Sequence, residues 1–340
     1  MKPRDELAAD AAMSQCENAS AVLDPEAAPN PETAASNASI TADAAHRLPL
    51  TGFALAALGA IAFSGKAIIV KLGYRYGVDA ITLLALRMLV AFPFFLLMGL
   101  WASRRAVPLA RGDMPKILAL GFFGYYLASF LDFAGLAYIT ATLERLILYL
   151  TPTLVLLINL WVFGKRASRL QWSALLVSYV GVLLAFGHDW QLGGSNIAVG
   201  GALVFGSALA YAIYLVGSGE MVRRVGAVRL TAYASSVASV LCIGQFLLLR
   251  PASTLASLPH EVWSLSLLNG TLCTVLPVLM VMMAVSRIGS ALAAQIGMLG
   301  PVSTIILSLL LLGEPMGPWQ VLGTVLVMVG VFVVSRQRNA

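Results

Sequence analysis

The sequence predicts an all-α integral membrane protein: ten transmembrane helices arranged as two inverted five-helix repeats. Three observations predict it. The 340 residues are 59% hydrophobic and only 11% charged, with a mean hydropathy of +0.86, whereas soluble domains carry roughly 25% charged residues. Apolar segments of membrane-spanning length alternate with short polar ones from about Pro49 onward. A stretch near the middle of the chain recurs, without a gap, 149 residues later.

Residues 1–46 stand apart from this pattern. They are rich in Ala, Ser, Asn and Pro, hold eight acidic residues, and contain no secretory-type apolar run. Such a composition buries too little surface to offset the entropy of ordering, so the segment is expected to be a disordered cytoplasmic tail. The membrane region is expected to divide into a first repeat, 47–187, and a second, 188–340.

A helix needs about 20 apolar residues to cross the hydrocarbon. Ten segments qualify: 50–72, 79–101, 116–138, 141–163, 170–187, 196–216, 230–249, 261–285, 289–312 and 319–335. Pro93, Pro152, Pro277 and Pro301 lie inside them, a placement tolerated where neighbouring helices satisfy the freed carbonyls. Basic residues set the orientation. Arg47, Arg104, Arg105, Arg111, Lys116, Lys165, Arg166, Arg169, Arg223, Arg224, Arg229, Arg287, Arg336 and Arg338 fall on one side, against Lys71, Arg75 and Arg250 on the other. The positive-inside rule places the richer side, with both termini, in the cytoplasm of a multi-pass cell-membrane (inner-membrane) protein. The net charge of +6 thereby belongs to topology, and no nucleic-acid partner is expected.

The repeat aligns 151–186 with 300–335. Pro152 meets Pro301, Gly164 meets Gly313, Gln171 meets Gln320 and Gly181 meets Gly330. Five spans is an odd number, so the second copy must enter the membrane upside down. The loops agree: "GKRASR" is basic, whereas its counterpart "GEPMGP" has no basic residue. Inverted repeats are a transporter architecture, with the binding site near the repeat interface.

On these features ("TP…GKR…Q…G", "GP…GEP…Q…G" and the short basic loops) residues 50–336 resemble the drug/metabolite transporter superfamily, the EamA-type ten-helix permeases. The first copy departs from the family pattern, with Lys165 where Glu is common. The resemblance implies a 5+5 inverted-repeat fold, alternating access, and secondary-active export of small metabolites or amino acids. It fixes no substrate.

Apart from Lys71, Asp79, Lys116 and Glu261 at segment ends, five charged residues fall within the spans, all in the first half: Lys66, Arg87, Asp132, Glu144 and Arg145. At 1.5 Å per residue they sit at a similar depth in the outer half of the bilayer. Adjacent helix positions point about 100° apart, so Glu144 and Arg145 must each find another partner. The hairpin of spans 3 and 4 suggests Asp132 with Arg145, leaving Glu144 to face Arg87 or Lys66. Tyr125 shares the face of Asp132, and Asn159 that of Glu144. Tyr211 and Tyr214, mid-span in the second half, are the expected cavity residues there. Three cations against two anions leave one positive charge over. Two readings stay open: a structural ion-pair lock, or a site where an anionic substrate group, or a titrating carboxylate, supplies the balance.

Other chemistry finds no footing. "GAIAFSGKA" (59–67) has the wrong spacing for a phosphate loop and lacks its Ser/Thr. His46, His188 and His260 lie near membrane surfaces, so an intramembrane enzyme lacks a nucleophile–base pair. That class and a non-transporting scaffold remain the alternatives. Cys16, Cys242 and Cys273 have no metal or disulfide spacing, and neither metal nor cofactor is expected.

Overall fold

A computed structural model of the chain describes residues 31–337, apart from 105, 107, 111, 165–167, 192–195, 298 and 315–316. The first 30 residues of the expected tail lie outside the described residues, and the first helix, α1, is Pro31–Arg75, of which Leu50–Arg75 is the apolar part. Contacts divide the chain at Leu50 into a short N-terminal unit and a helical unit of residues 51–340, which is the one considered below.

Among the described residues, eight helices are long and apolar enough to cross a membrane: Leu50–Arg75 of α1, then α2 (Ala80–Ser103), α3 (Asp113–Leu136), α4 (Ala141–Val162), α5 (Arg169–Gly187), α6 (Ile197–Gly219), α7 (Ala227–Leu249) and α8 (His260–Val285). Two shorter apolar helices follow, α9 (Leu299–Leu312) and α10 (Pro318–Val333). A turn expected near 286–288 is not a break in hydrogen bonding, because Leu276–Gly297 is helical throughout. The chain nevertheless doubles back within it. A Cβ on Gly65 would meet the Cys273 sulfur at 2.9 Å, while the adjacent Ser64 hydroxyl lies 2.8 Å from the Gly300 carbonyl. A straight helix would hold residues 273 and 300 about 40 Å apart.

The 149-residue shift reappears in the backbone. Among the described residues, positive φ occurs at Gly77 (74°), Gly164 (61°), Gly226 (88°) and Gly313 (66°), two pairs that each differ by 149. Gly164 and Gly313 end α4 and α9 in the left-handed conformation, which a side chain resists and glycine does not. A wide π turn interrupts α3 at Phe122–Leu127 and α8 at Thr271–Val275, again 149 apart. Packing follows the same rule with the halves exchanged. Gly65 abuts Cys273, and its image, Tyr214, abuts Gly124. On the α5–α10 pair, a Cβ on Gly181 would come within 2.5 Å of the Gly323 carbonyl, and one on Gly330 within 2.5 Å of the Ala174 carbonyl. Ala174 and Gly323 are images too. Small residues at these crossings let the backbones approach, the main source of helix association where lipid removes the hydrophobic drive.

One end of the bundle is tied shut by groups from both halves. Arg75 donates to the Leu312 carbonyl at 2.6 Å. Both oxygens of Glu314 accept from the Ala141 amide at the start of α4, at 3.1 and 3.2 Å, and the carboxylate also receives the Ser308 hydroxyl. Tyr74 donates to the Phe133 carbonyl. Ile68, Leu83, Leu86, Phe133, Leu136 and Val262 form an apolar layer at this end.

Candidate functional site

Between the helices lies a cavity of about 510 Å³, bordered by α1 to α4, α6 to α8 and α10. Of the residues the sequence singles out, Lys66, Arg87, Tyr125, Asp132, Arg145 and Tyr211 line it. Glu144 is fully buried behind this lining. Tyr214 is buried as well, its ring against Gly124 and its hydroxyl 3.3 Å from that of Tyr125. Asn159 does not reach the cavity. Its amide donates to the Val155 carbonyl of its own helix at 2.7 Å, so the shared face that nominates it is spent on a local bond.

The five ionisable groups meet; Glu144 faces Lys66, one of the two cations expected for it, but Asp132 does not pair with Arg145. Lys66, not Arg145, takes Asp132, at 2.5 Å, and the same ammonium lies 3.5 Å from Glu144. Arg87 donates from Nε to Thr274 at 2.8 Å, with its guanidinium 5.3 Å from the centre of the Phe133 ring. Arg145 donates from Nη2 to Ser64 at 3.1 Å. The reason is reach. Lys66 projects from α1 between α3 and α4, and a compact ammonium with three donors can serve two carboxylates at once. Both guanidiniums are left to neutral partners. Among the described residues, Asp132 Oδ1, both Glu144 oxygens and Arg145 Nε are buried without a hydrogen-bond partner. Such atoms cost free energy until a proton, water or ligand meets them.

Two prolines shape the walls. Pro152 has no N–H to offer the Leu148 carbonyl, and the Thr151 hydroxyl bonds that carbonyl instead at 2.6 Å. The break in α4 at Tyr149–Leu150 turns Arg145, Leu148 and Tyr149 onto the cavity. Pro301 likewise frees the Gly297 carbonyl of the second half, and the Tyr149 hydroxyl takes it at 2.6 Å. Each proline therefore hands a carbonyl to a side chain at the cavity edge.

Sequence reasoning misses Ser64, Tyr149, Thr274 and Gly300. Tyr149 is four residues after Arg145, hence on its face, a signal that was available. Thr274 is the image of Tyr125 under the 149-residue shift, and both sit in π turns, features frequent at functional sites. Ser64 ends the series of small residues Gly52, Ala56, Ala60 and Ser64, four apart on α1, a signal of close helix contact but not of its bond to Arg145; Gly300 carries no such signal. The described residues contain no cluster of His, Cys, Asp and Glu able to hold a metal ion.

Comparison with known proteins agrees with this anatomy. The profile of the EamA-like transporter family matches twice, over residues 50–187 and 198–336. The uncharacterized transporter YcbK of Bacillus subtilis (strain 168) is 33% identical over 278 residues, covering 78% of this chain and 86% of YcbK. An uncharacterized transporter of Archaeoglobus fulgidus is 24% identical over 287 residues, covering 84% of this chain and 97% of its own. A solved structure described only as a crystal structure of a protein superposes with a TM-score of 0.60 at 17% identity, over 87% of this chain and 99% of that one, a likeness of fold. With both halves matched in tandem, this multi-pass membrane chain belongs to the EamA-like transporter family.

Proposed function

We propose that the protein is a secondary-active exporter of small metabolites bearing an anionic group, working by alternating access between two inverted five-helix halves in the cell membrane, with both termini in the cytoplasm. The observation that carries this reading is the 510 Å³ cavity, which helices of both halves enclose and into which Lys66, Arg87, Asp132 and Arg145 project. Three permanent or near-permanent cations against two carboxylates favour an anion as the missing partner. The reading takes α8 and α9 as separate crossings, giving ten, and takes the exchanged contacts of the two halves as a pseudo-two-fold axis in the membrane plane. Closure at the Glu314 end, with the cavity on the other side of the apolar layer, fits one end-state of such a carrier.

Two experiments test it. Cysteines placed singly at Arg166 and Gly317 are expected to label from opposite faces of the membrane; labelling from one face overturns the inversion. Metabolite profiling of medium from cells overexpressing the chain is expected to show acidic metabolites enriched over an Asp132→Asn control. Equal media from the two strains overturn the export reading.

A further inference from the structure

The substrate class can be narrowed, on the reading that the cavity is a transport site. A second chamber of about 330 Å³ adjoins the first, and Phe63, Arg145, Tyr149 and Val281 border both. Among the described residues, its remaining walls are Ala56, Ala60, Val285, Ala293, Gly297 and Gly300. They offer no charge and no polar side chain. Arg145 is the cation at the mouth between a polar chamber and an apolar one.

Its guanidinium is held in place by neutral groups. The Ser64 hydroxyl lies 2.8 Å from the Gly300 carbonyl and 2.9 Å from that of Ala60, so its proton is committed and its lone pairs face Nη2 of Arg145 at 3.1 Å. A Cβ on Gly300 would stand 2.9 Å from the Tyr149 hydroxyl and 3.4 Å from Arg145 Nη2, so glycine is what admits the arginine here. Tyr149 is fixed in turn by the Gly297 carbonyl. With Nη2 anchored, Nε remains buried without a partner, and no carboxylate among the described residues lies within ion-pair distance of this arginine, because Lys66 holds both. An arginine cannot give up its proton, and its fork of N–H groups matches the two oxygens of a carboxylate.

We propose that Arg145 seats the carboxylate of an amphiphilic monocarboxylate whose apolar end occupies the Ala56–Ala293–Gly297 chamber. Charge selects the acid over its neutral and cationic isosteres, and the small side chains set the length of the apolar end.

The test is equilibrium binding to the full chain in nanodiscs of zwitterionic lipid, by titration calorimetry with butyrate, hexanoate, hexanamide and hexylamine. Hexanoate is expected to bind about 15-fold tighter than butyrate, because each buried methylene contributes about fourfold. Hexanamide and hexylamine are expected to bind at least tenfold more weakly than hexanoate. Arg145→Gln removes hexanoate binding, and Arg145→Lys restores part of it. Ala293→Leu, which fills the apolar chamber without touching the charge, keeps butyrate binding and abolishes the advantage of hexanoate. Equal binding of hexanoate and hexanamide to the wild-type chain overturns the proposal. So does an unchanged chain-length preference in Ala293→Leu, or a wild-type chain that binds no carboxylate. Binding is read without flux: a chain that binds hexanoate and moves no metabolite sinks the transport reading and leaves this one standing.

Discussion

The two halves share a backbone plan and differ in chemistry. Turn glycines, π turns and close helix crossings recur at a fixed spacing of 149 residues. The charges do not. Under that spacing Lys66 maps to Leu215, Arg87 to Ser236, Asp132 to Val281, Glu144 to Ala293 and Arg145 to Ala294. The half with charges supplies anchoring groups, and the half without them supplies apolar wall: Leu215 and Val281 both line the larger cavity. A duplicated scaffold therefore does not need a duplicated site. One set of charges, placed where the halves meet, leaves room for an apolar face opposite it.

The largest effect that separates the halves is expected at Lys66. Lys66→Met strands Asp132 and Glu144 as buried, uncompensated carboxylates, a change worth about 3–5 kcal/mol. The image substitution, Leu215→Met, conserves volume and is expected to cost less than about 1.5 kcal/mol. Thermal unfolding of the two variants in the same detergent checks this. Equal losses would show that the cluster is not a stability feature of the first half. Combining Lys66→Met with Asp132→Asn and Glu144→Gln is expected to restore part of the lost stability, because no buried carboxylate is then left without its ammonium, while Arg87 and Arg145 keep their neutral partners Thr274 and Ser64.

Where the halves are alike, matched substitutions should cost alike. Gly181→Ala and Gly330→Ala each push a methyl onto a carbonyl of the facing helix, and overpacking of this kind costs about 1–3 kcal/mol. Unfolding midpoints of the two variants are expected to agree closely. A large cost at one and none at the other would break the exchange symmetry of the α5–α10 pair.

At the ends the halves differ again. Glu314 caps the first amide of α4 and stands where the macrodipole favours negative charge, while its image in the first half is Lys165. Glu314→Gln is expected to weaken closure of this end by about 1 kcal/mol, read as a roughly fivefold rise in labelling of a cysteine placed at Leu83 in the apolar layer. Unchanged labelling would remove Glu314 from closure.

The smallest effect concerns Asp79, in the turn between α1 and α2. Partial burial pushes its carboxyl up, but the Thr82 hydroxyl, Arg250 and the Ile81 amide outweigh burial and hold it below the ordinary aspartate range. A lowered folded value means that stabilisation is full above the ordinary value and is lost as pH falls through the lowered one. The ion pair with Arg250, at 3.3 Å and partly exposed, is worth at most about 1 kcal/mol. Arg250→Gln should therefore lower the unfolding midpoint slightly at pH 7 and leave it unchanged at an acid pH at which Asp79 of the folded chain is protonated. A loss at both values would assign Arg250 a packing role.

Much of this was legible in the residues. Apolar length foretold the membrane-length helices, and the glycine and proline coincidences at Pro152/Pro301 and Gly164/Gly313 foretold the 149-residue recurrence of the backbone. Intramembrane charge gave the five groups that meet at the cavity, because ionised side chains in hydrocarbon gather at functional loci. Of the pairing within the cluster, Glu144 with Lys66 was one of two options the residues left open, but Asp132 with Lys66 was not legible. Helical phase on α3 and α4 pointed Asp132 at Arg145, but which cation arrives depends on how closely α1 enters the hairpin, and Gly65 against Cys273 decides that. Asn159 illustrates the opposite failure: a shared face shows direction and not whether the side chain has already spent its bonds on its own helix. Ser64 and Gly300 emerge only in three dimensions, since their role is to hold another side chain still.

The central claim is that the charged half carries the chemistry of transport. The measurement that tests it most directly is efflux, from cells, of the metabolites that the wild-type chain enriches in the medium, compared across variants present in the membrane at wild-type level. The neutral triple variant Lys66→Met, Asp132→Asn, Glu144→Gln and the single variant Arg145→Gln are expected to lose efflux, while Leu215→Met keeps it. Wild-type efflux from the neutral triple and from Arg145→Gln would contradict the account and leave the cluster a lock between helices.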